Sequence, residues 1–195
     1  MHQWHGTTIA FDGVVLASDT AITAGNYTRH DALRKIHPVE VDDKRYIFAL
    51  AGVVAHFEPF IRWYLSGASF TMHRELFAPH IERNEGYIAW AIVCDPKNRI
   101  PPQVEEYNSS MPFRVMVRTP CAIGAGQEIA HANLLKGADP VTAVELASLA
   151  DRSTGGTVEA FDVHDWKWIN QSRRVANLRQ LRQVSTERYS NGEDA

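Results

Sequence analysis

Strands paired as hairpins, interleaved with two separated groups of helices rather than joined by βαβ crossovers, mark the chain as an α+β fold built in layers. Three stretches predict it. Two short apolar runs flank Asp12-Gly13, a dipeptide that tolerates the positive φ of a tight two-residue turn, so residues 7–19 read as a hairpin whose second arm ends near Asp19. Phe57, Phe60, Ile61, Tyr64 and Leu65 recur at the i, i+3, i+4, i+7, i+8 spacing of an amphipathic helix over 56–65. A second helical group over 128–151 runs into Gly155-Gly156 and then a strand over 157–163.

The remaining elements follow in order. Val39, Val41 and the run Tyr46-Ile47-Phe48-Ala49-Leu50-Ala51 form two strands around the polar turn Asp42-Asp43-Lys44, and Gly52 closes the second. Ser66-Gly67-Ala68 ends the first helix. Pro79 sits between stretches that read equally as short helix or loop, and Trp63 and Trp90 are expected in the core or at a subunit contact. Residues 87–93 are a buried strand followed by the turn Asp95-Pro96-Lys97-Asn98, and Pro101-Pro102 excludes a regular central strand at that point. Val104–Tyr107 and Phe113–Val117 then pair. Cys121-Ala122-Ile123 leads into Gly124-Ala125-Gly126, which opens a helix over 128–136 stopped by Gly137. Asp139-Pro140 starts the next helix with an N-cap acid and a first-turn proline, and Val141, Val144, Leu146 and Leu149 form its apolar stripe. Trp166 and Trp168 pack on the body. Val175, Leu178, Leu181 and Val184 predict a last helix, with a disordered tail over 190–194.

Length and composition bound the function. At 195 residues the chain is one domain, long enough to bury about 70% of its unfolded surface. A net charge of −3 without a local Lys/Arg cluster argues against a nucleic-acid partner. Cys94 and Cys121 are far apart and lack zinc-site spacing, so they read as two buried thiols in a reducing compartment. His56, His73 and His80 lie near no organised acid or cysteine cluster; no metal or cofactor is expected. No apolar run approaches the ~20 residues that span a bilayer, and residues 1–5 lack signal-peptide regions, so the expected location is the cytoplasm, with no membrane partner.

One stretch carries more than local structure. It reads Gly6-Thr7-Thr8, then Asp19 at a strand end, then Arg34-Lys35-Ile36, with Ala51-Gly52, Gly124-Ala125-Gly126 and Asp151-Arg152-Ser153-Thr154-Gly155-Gly156 following. In this order the residues resemble the proteasome β-type peptidases, including the HslV branch and short proteasome-like proteins of bacteria and phages. The resemblance covers roughly residues 7–163. It implies the four-layer αββα sandwich of N-terminal nucleophile hydrolases, assembly into stacked rings, polypeptide substrates and delivery by an ATP-driven unfoldase. The expected organisation is a short propeptide over 1–6, the hydrolase domain over 7–168, and a C-terminal helix and flexible tail over 169–195.

The same resemblance implies the chemistry. An N-terminal threonine uses its own α-amine as general base, and an amide nitrogen cannot accept that proton, so Thr7 must be exposed by loss of residues 1–6. Left uncut, those residues read simply as an extension of the first strand. Thr7 is then the nucleophile, Asp19 and Lys35 the acid and active-site lysine, and the Gly52 N–H an oxyanion donor. Asp151 and Thr154 hold the amine. Gly52 also reads as a tight-turn glycine, and Asp151 as a helix C-cap. Ala125 stands where the family often has serine and supplies no hydroxyl. Two alternatives remain: a catalytically silent ring scaffold resembling α-type subunits, and a related amidase acting on a small amide.

Overall fold

The computed structural model describes residues 7–24, 27–29, 33–81, 85–95, 100–110 and 113–174. Twelve strands and four helices occur among them: β1 Thr8–Phe11, β2 Val15–Asp19, β3 Ile22–Ala24, β4 Tyr27–Arg29, β5 Ile36–Val41, β6 Lys44–Gly52, α1 Phe57–Leu65, α2 Phe70–Ile81, β7 Tyr87–Asp95, β8 Ile100–Asn108, β9 Val115–Val117, β10 Cys121–Gly124, α3 Gln127–Leu135, α4 Pro140–Ala150, β11 Thr157–Asp162 and β12 Lys167–Arg174. One five-stranded sheet has the order β10-β1-β2-β11-β12, the other β5-β6-β7-β8-β9, and β3 pairs with β4 alone. Neighbouring strands are antiparallel throughout.

Alternation along the strands explains the layers. Ile9, Phe11 and Leu16 point from the first sheet onto Ile36, Ile47, Ala49, Trp90 and Ile92 of the second. Their neighbours Ala10, Ala17, Val158 and Ala160 face the other way, onto Leu134 of α3 and Val141, Val144 and Ala147 of α4. On the far face of the second sheet, Phe48, Leu50, Tyr87 and Tyr107 pack on Phe57, Phe60 and Trp63 of α1 and Phe77 of α2. The order is helices, sheet, sheet, helices: an α+β, four-layer αββα sandwich.

Several expectations shift in detail. The first hairpin turns about Gly13-Val14 rather than Asp12-Gly13: Asp12 N donates to Val15 O, and the Asp12 carboxylate accepts from the Val14 and Val15 amides at 2.8 Å. Gly13 supplies the positive φ, at 105°. Pro101 and Pro102 lie inside β8, but not in a regular central stretch of it. They are tolerated because the β7–β8 register shifts between Val93 and Asp95, and because β9 pairs only with residues 104–106, so no second neighbour needs the missing amides. Residues 70–81 form one helix that includes Pro79. In α1 the buried set is Phe57, Phe60 and Trp63, with Leu65 at the exposed end, and both Trp63 and Trp90 are core residues. In α4, Leu146 is 37% exposed and the small Ala143 and Ala147 take the buried face instead. Finally, β12 runs through Arg174, past the expected domain end at 168 and over the first residues of the expected C-terminal helix. The rest of that helix, the tail and the expected propeptide lie outside the described residues.

Candidate active site

Antiparallel connectivity brings the start of β1, the end of β2, the entry to β5, the end of β6 and the entry to β11 to one end of the sandwich. Asp19 and Lys35 meet there. Lys35 Nζ lies 2.8 Å from Asp19 Oδ1, and the two side chains are 1% and 0% exposed. A buried pair is held only if its remaining polar atoms are satisfied. Asp19 meets that condition: Oδ1 also accepts from Thr8 N at 2.7 Å, and Oδ2 accepts from Gly155 N at 3.1 Å and Ala21 N at 3.3 Å. Burial pushes the Lys35 ammonium below its ordinary pKa and the Asp19 carboxyl above its own, and their mutual attraction opposes both shifts.

Thr7 immediately precedes β1 and is 3% exposed. The peptide joining it to Thr8 is gripped on both sides, since Thr7 O accepts from Ala125 N at 2.7 Å while Thr8 N is bound by Asp19. Gly124 makes this approach possible. At φ 99°, a Cβ built on it would sit 1.9 Å from Thr7 O, so any other residue would push the Thr7 backbone away.

Thr8 is the residue that sequence reasoning missed. Fully buried, its Oγ1 accepts from Gly126 N at 3.0 Å and lies 2.7 Å from Thr154 Oγ1, which in turn donates to Asp151 Oδ2 at 2.5 Å. Asp151 is the C-cap of α4, its amide bonded to Ala147 O, and its carboxylate also accepts from the Ser153 amide and hydroxyl. It therefore caps the helix and reaches the site. The hydroxyl that Thr154 meets is that of Thr8, one residue beyond the threonine to which sequence reading directs it. The signal lay in the Thr7-Thr8 pair itself, but the partners are 118 and 146 residues away.

Gly52 ends β6 with φ 115°, and a Cβ there would lie 2.4 Å from Gly86 O. Leu50 N donates to Lys35 O, and Val53 N to Gly86 O on the opposite side. By strand alternation the Gly52 N–H points to the β5 side of β6, the side on which Leu50 N meets Lys35 O, beyond the Ile36–Ala49 pair that starts β5. The structure thus gathers Thr7, Asp19, Lys35, Gly52, Asp151 and Thr154 at one end of the sandwich, with Ala125 contributing its amide.

Other candidates are occupied elsewhere. His73 is a buried residue of α2 with Nε2 2.8 Å from Tyr87 Oη, and burial lowers its pKa to about 4. Cys94 and Cys121 are buried free thiols whose pKa values burial raises to about 11 and about 12. Among the described residues no three potential metal-ligating side chains gather, and no helix is long and apolar enough to cross a membrane.

No protein-family model and no curated protein matches the chain. Solved structures do. Anbu, an ancestral β-subunit, from Yersinia bercovieri is 12% identical over 95% of both chains, with a TM-score of 0.61. The helical assembly of the Anbu complex from Pseudomonas aeruginosa gives 15% identity over 94% of both chains and a TM-score of 0.58. Eukaryotic HslV from Trypanosoma brucei is 15% identical over 80% of this chain and 98% of its own, with a TM-score of 0.51. At these identities the likeness concerns the fold, which is that of proteasome-like N-terminal nucleophile hydrolases.

Proposed function

We propose that the chain is a threonine peptidase of the proteasome-like type, active once loss of residues 1–6 makes Thr7 N-terminal. The observation that carries this reading is the buried Asp19–Lys35 pair, whose shared carboxylate oxygen also binds the amide one residue after Thr7. An ion pair this dry costs several kcal/mol to desolvate, and the chain places it beside a threonine rather than filling the space with apolar side chains.

In this mechanism the freed Thr7 amine takes the proton of the Thr7 hydroxyl, directly or through a water, as Oγ1 attacks a peptide carbonyl. Charged Lys35 lowers the hydroxyl's pKa, and the Gly52 N–H receives the oxyanion, a donor of a kind worth about 2.7–4 kcal/mol. Asp151 and Thr154 position the amine. The new N-terminus leaves with the returned proton, and water hydrolyses the acyl-enzyme to free Thr7 again. Polypeptide substrates, self-association into rings, supply by an ATP-driven unfoldase and a cytoplasmic location belong to the same reading, and the P. aeruginosa neighbour is itself described as a helical assembly.

A second reading, the silent ring scaffold, is favoured by Ala125, which lacks the hydroxyl often found at that point. Intact mass with N-terminal residue identification, followed by peptide cleavage, separates the two. Thr7 at the N-terminus with turnover that Thr7→Ala abolishes supports the peptidase. Retention of Met1 to Gly6 in the assembled protein leaves the scaffold.

A further inference from the structure

We infer that Thr8 is a positioning residue of the active site: its hydroxyl is the link through which Asp151 and Thr154 act on Thr7, in place of a hydroxyl at residue 125. The inference rests on the reading of Thr7 as an N-terminal nucleophile. Its support is the direction of the hydrogen bonds. A carboxylate only accepts, so the single Thr154 hydroxyl proton is committed to Asp151 Oδ2. Thr154 Oγ1 must then accept from Thr8 Oγ1, and Thr8 Oγ1 in turn accepts from Gly126 N.

The result is a one-way chain, Gly126 N–H to Thr8 O–H to Thr154 O–H to Asp151, with every proton pointing toward the carboxylate. Such chains polarise each member. Thr8 is joined to Thr7 by a peptide that Ala125 N and Asp19 already hold. Residue 126 has room only for a glycine beside this network. A Cβ on Gly126 would come within 2.5 Å of Thr8 Oγ1, 2.9 Å of Ala147 Cβ and 3.3 Å of Thr154 Oγ1. Ala125 gives only its backbone, so the hydroxyl nearest the nucleophile in sequence completes the network instead. A chain that starts at an amide N–H and ends on a carboxylate fixes Thr8 and, through the shared peptide, the Thr7 amine, with the Asp151 charge at its far end favouring the protonated amine.

The test compares Thr8→Val, which keeps the shape and removes the hydroxyl, with Thr8→Ser, on protein whose N-terminal residue is confirmed as Thr7. Two readouts are taken: kcat and KM for a peptide substrate across pH, and the pH dependence of N-terminal amine acylation by an activated ester. Thr8→Val is expected to lower kcat by roughly 10- to 100-fold with KM within about twofold. Its acid limb and the amine's acylation midpoint should both move to lower pH. Thr8→Ser is expected to restore kcat and both midpoints. If Thr8→Val does not fold, Thr8→Cys, a weaker donor of similar size, should show the same shifts in smaller measure. Unchanged midpoints in the valine or cysteine variant, or a serine variant as impaired as the valine one, would overturn the inference. Processed wild type that cleaves no peptide, yet shows the acylation shift, would sink the peptidase reading and keep this one. Retention of residues 1–6 removes the amine and overturns both.

Discussion

Lys35 and Asp19 depend on each other more than on anything else in the molecule. Removing one partner of a buried pair strands the other charge, a loss of about 3–5 kcal/mol, whereas removing both costs far less. Lys35→Met should therefore lower stability by that order and abolish peptide turnover, while Asp19→Asn combined with Lys35→Met should recover much of the stability and none of the turnover. Paired denaturant melts and peptide assays check this; a double variant no more stable than Lys35→Met would contradict it. Because burial holds the Lys35 pKa below 10.5, its ammonium is lost before that pH, and the alkaline limb of activity should fall below 10.5. That the residues of this site gather at one end of the sandwich was largely legible because their spacing and types form ordered strings. Asp19, Lys35, Gly52, Asp151 and Thr154 each stand in a short motif. Thr8 was not legible, since its role is set by partners on α3 and the α4–β11 loop that no local pattern brings near. The same holds for Gly124, whose need for no side chain is visible only once Thr7 O sits where its Cβ would be. Gly124→Ala should thus cut kcat at least tenfold, a cost of about 1.4 kcal/mol in the barrier, read by single-turnover peptide cleavage.

Among the described elements, the expected helices α1, α3 and α4 and the expected strands up to β11 are present, and the differences fall where a local rule meets a tertiary exception or, at β12, where a strand takes the place of the start of an expected helix. Pro101-Pro102 obeys the rule against central-strand proline only because β9 stops short of it. Leu146 matched the apolar stripe of α4, but the small alanines pack closer to β2 and leave it outside. Residues 70–81 have weak amphipathic patterning, and α2 is held by aromatic packing and by polar bonds that include His73 Nε2 to Tyr87 Oη. That bond has a pH signature. His73 has a folded pKa of about 4 against 6.5 in the unfolded chain, so between those values the unfolded state binds more protons. Its contribution is complete above pH 6.5 and is lost as pH falls toward 4. Thermal melts at pH 7 and pH 4.5 should show a larger drop in the wild type than in His73→Gln, with about 2–4 °C for each kcal/mol. Equal drops in both proteins would show that His73 does not titrate in this way.

At the scale of the whole molecule, the site is divided between two sheets. Thr7, Thr8, Asp19 and the α4–β11 loop belong to the first sheet and its connections, Lys35 and Gly52 to the second. The inter-sheet core holds these halves together alongside the Asp19–Lys35 and Arg34–Glu159 pairs, and Trp90 is the largest side chain of that core, fully buried against residues from both sheets and donating to Glu106 Oε2 at 3.0 Å. The four-layer architecture was inferable from family resemblance, but not from periodicity alone, because a strand's alternation says that two faces are buried without saying what covers each. The division of the site has a consequence for stability. Trp90→Phe leaves an aromatic ring but opens a void and strands the Glu106 carboxylate, and should cost about 2–4 kcal/mol without touching any residue of the site. If the two sheets move as one body, activity and unfolding in denaturant should shift to lower midpoints by the same amount, and tryptophan fluorescence and circular dichroism should report one transition. Activity lost at denaturant concentrations where both signals remain native would instead mean that the sheets slip past each other, parting Lys35 from Asp19 before either sheet melts.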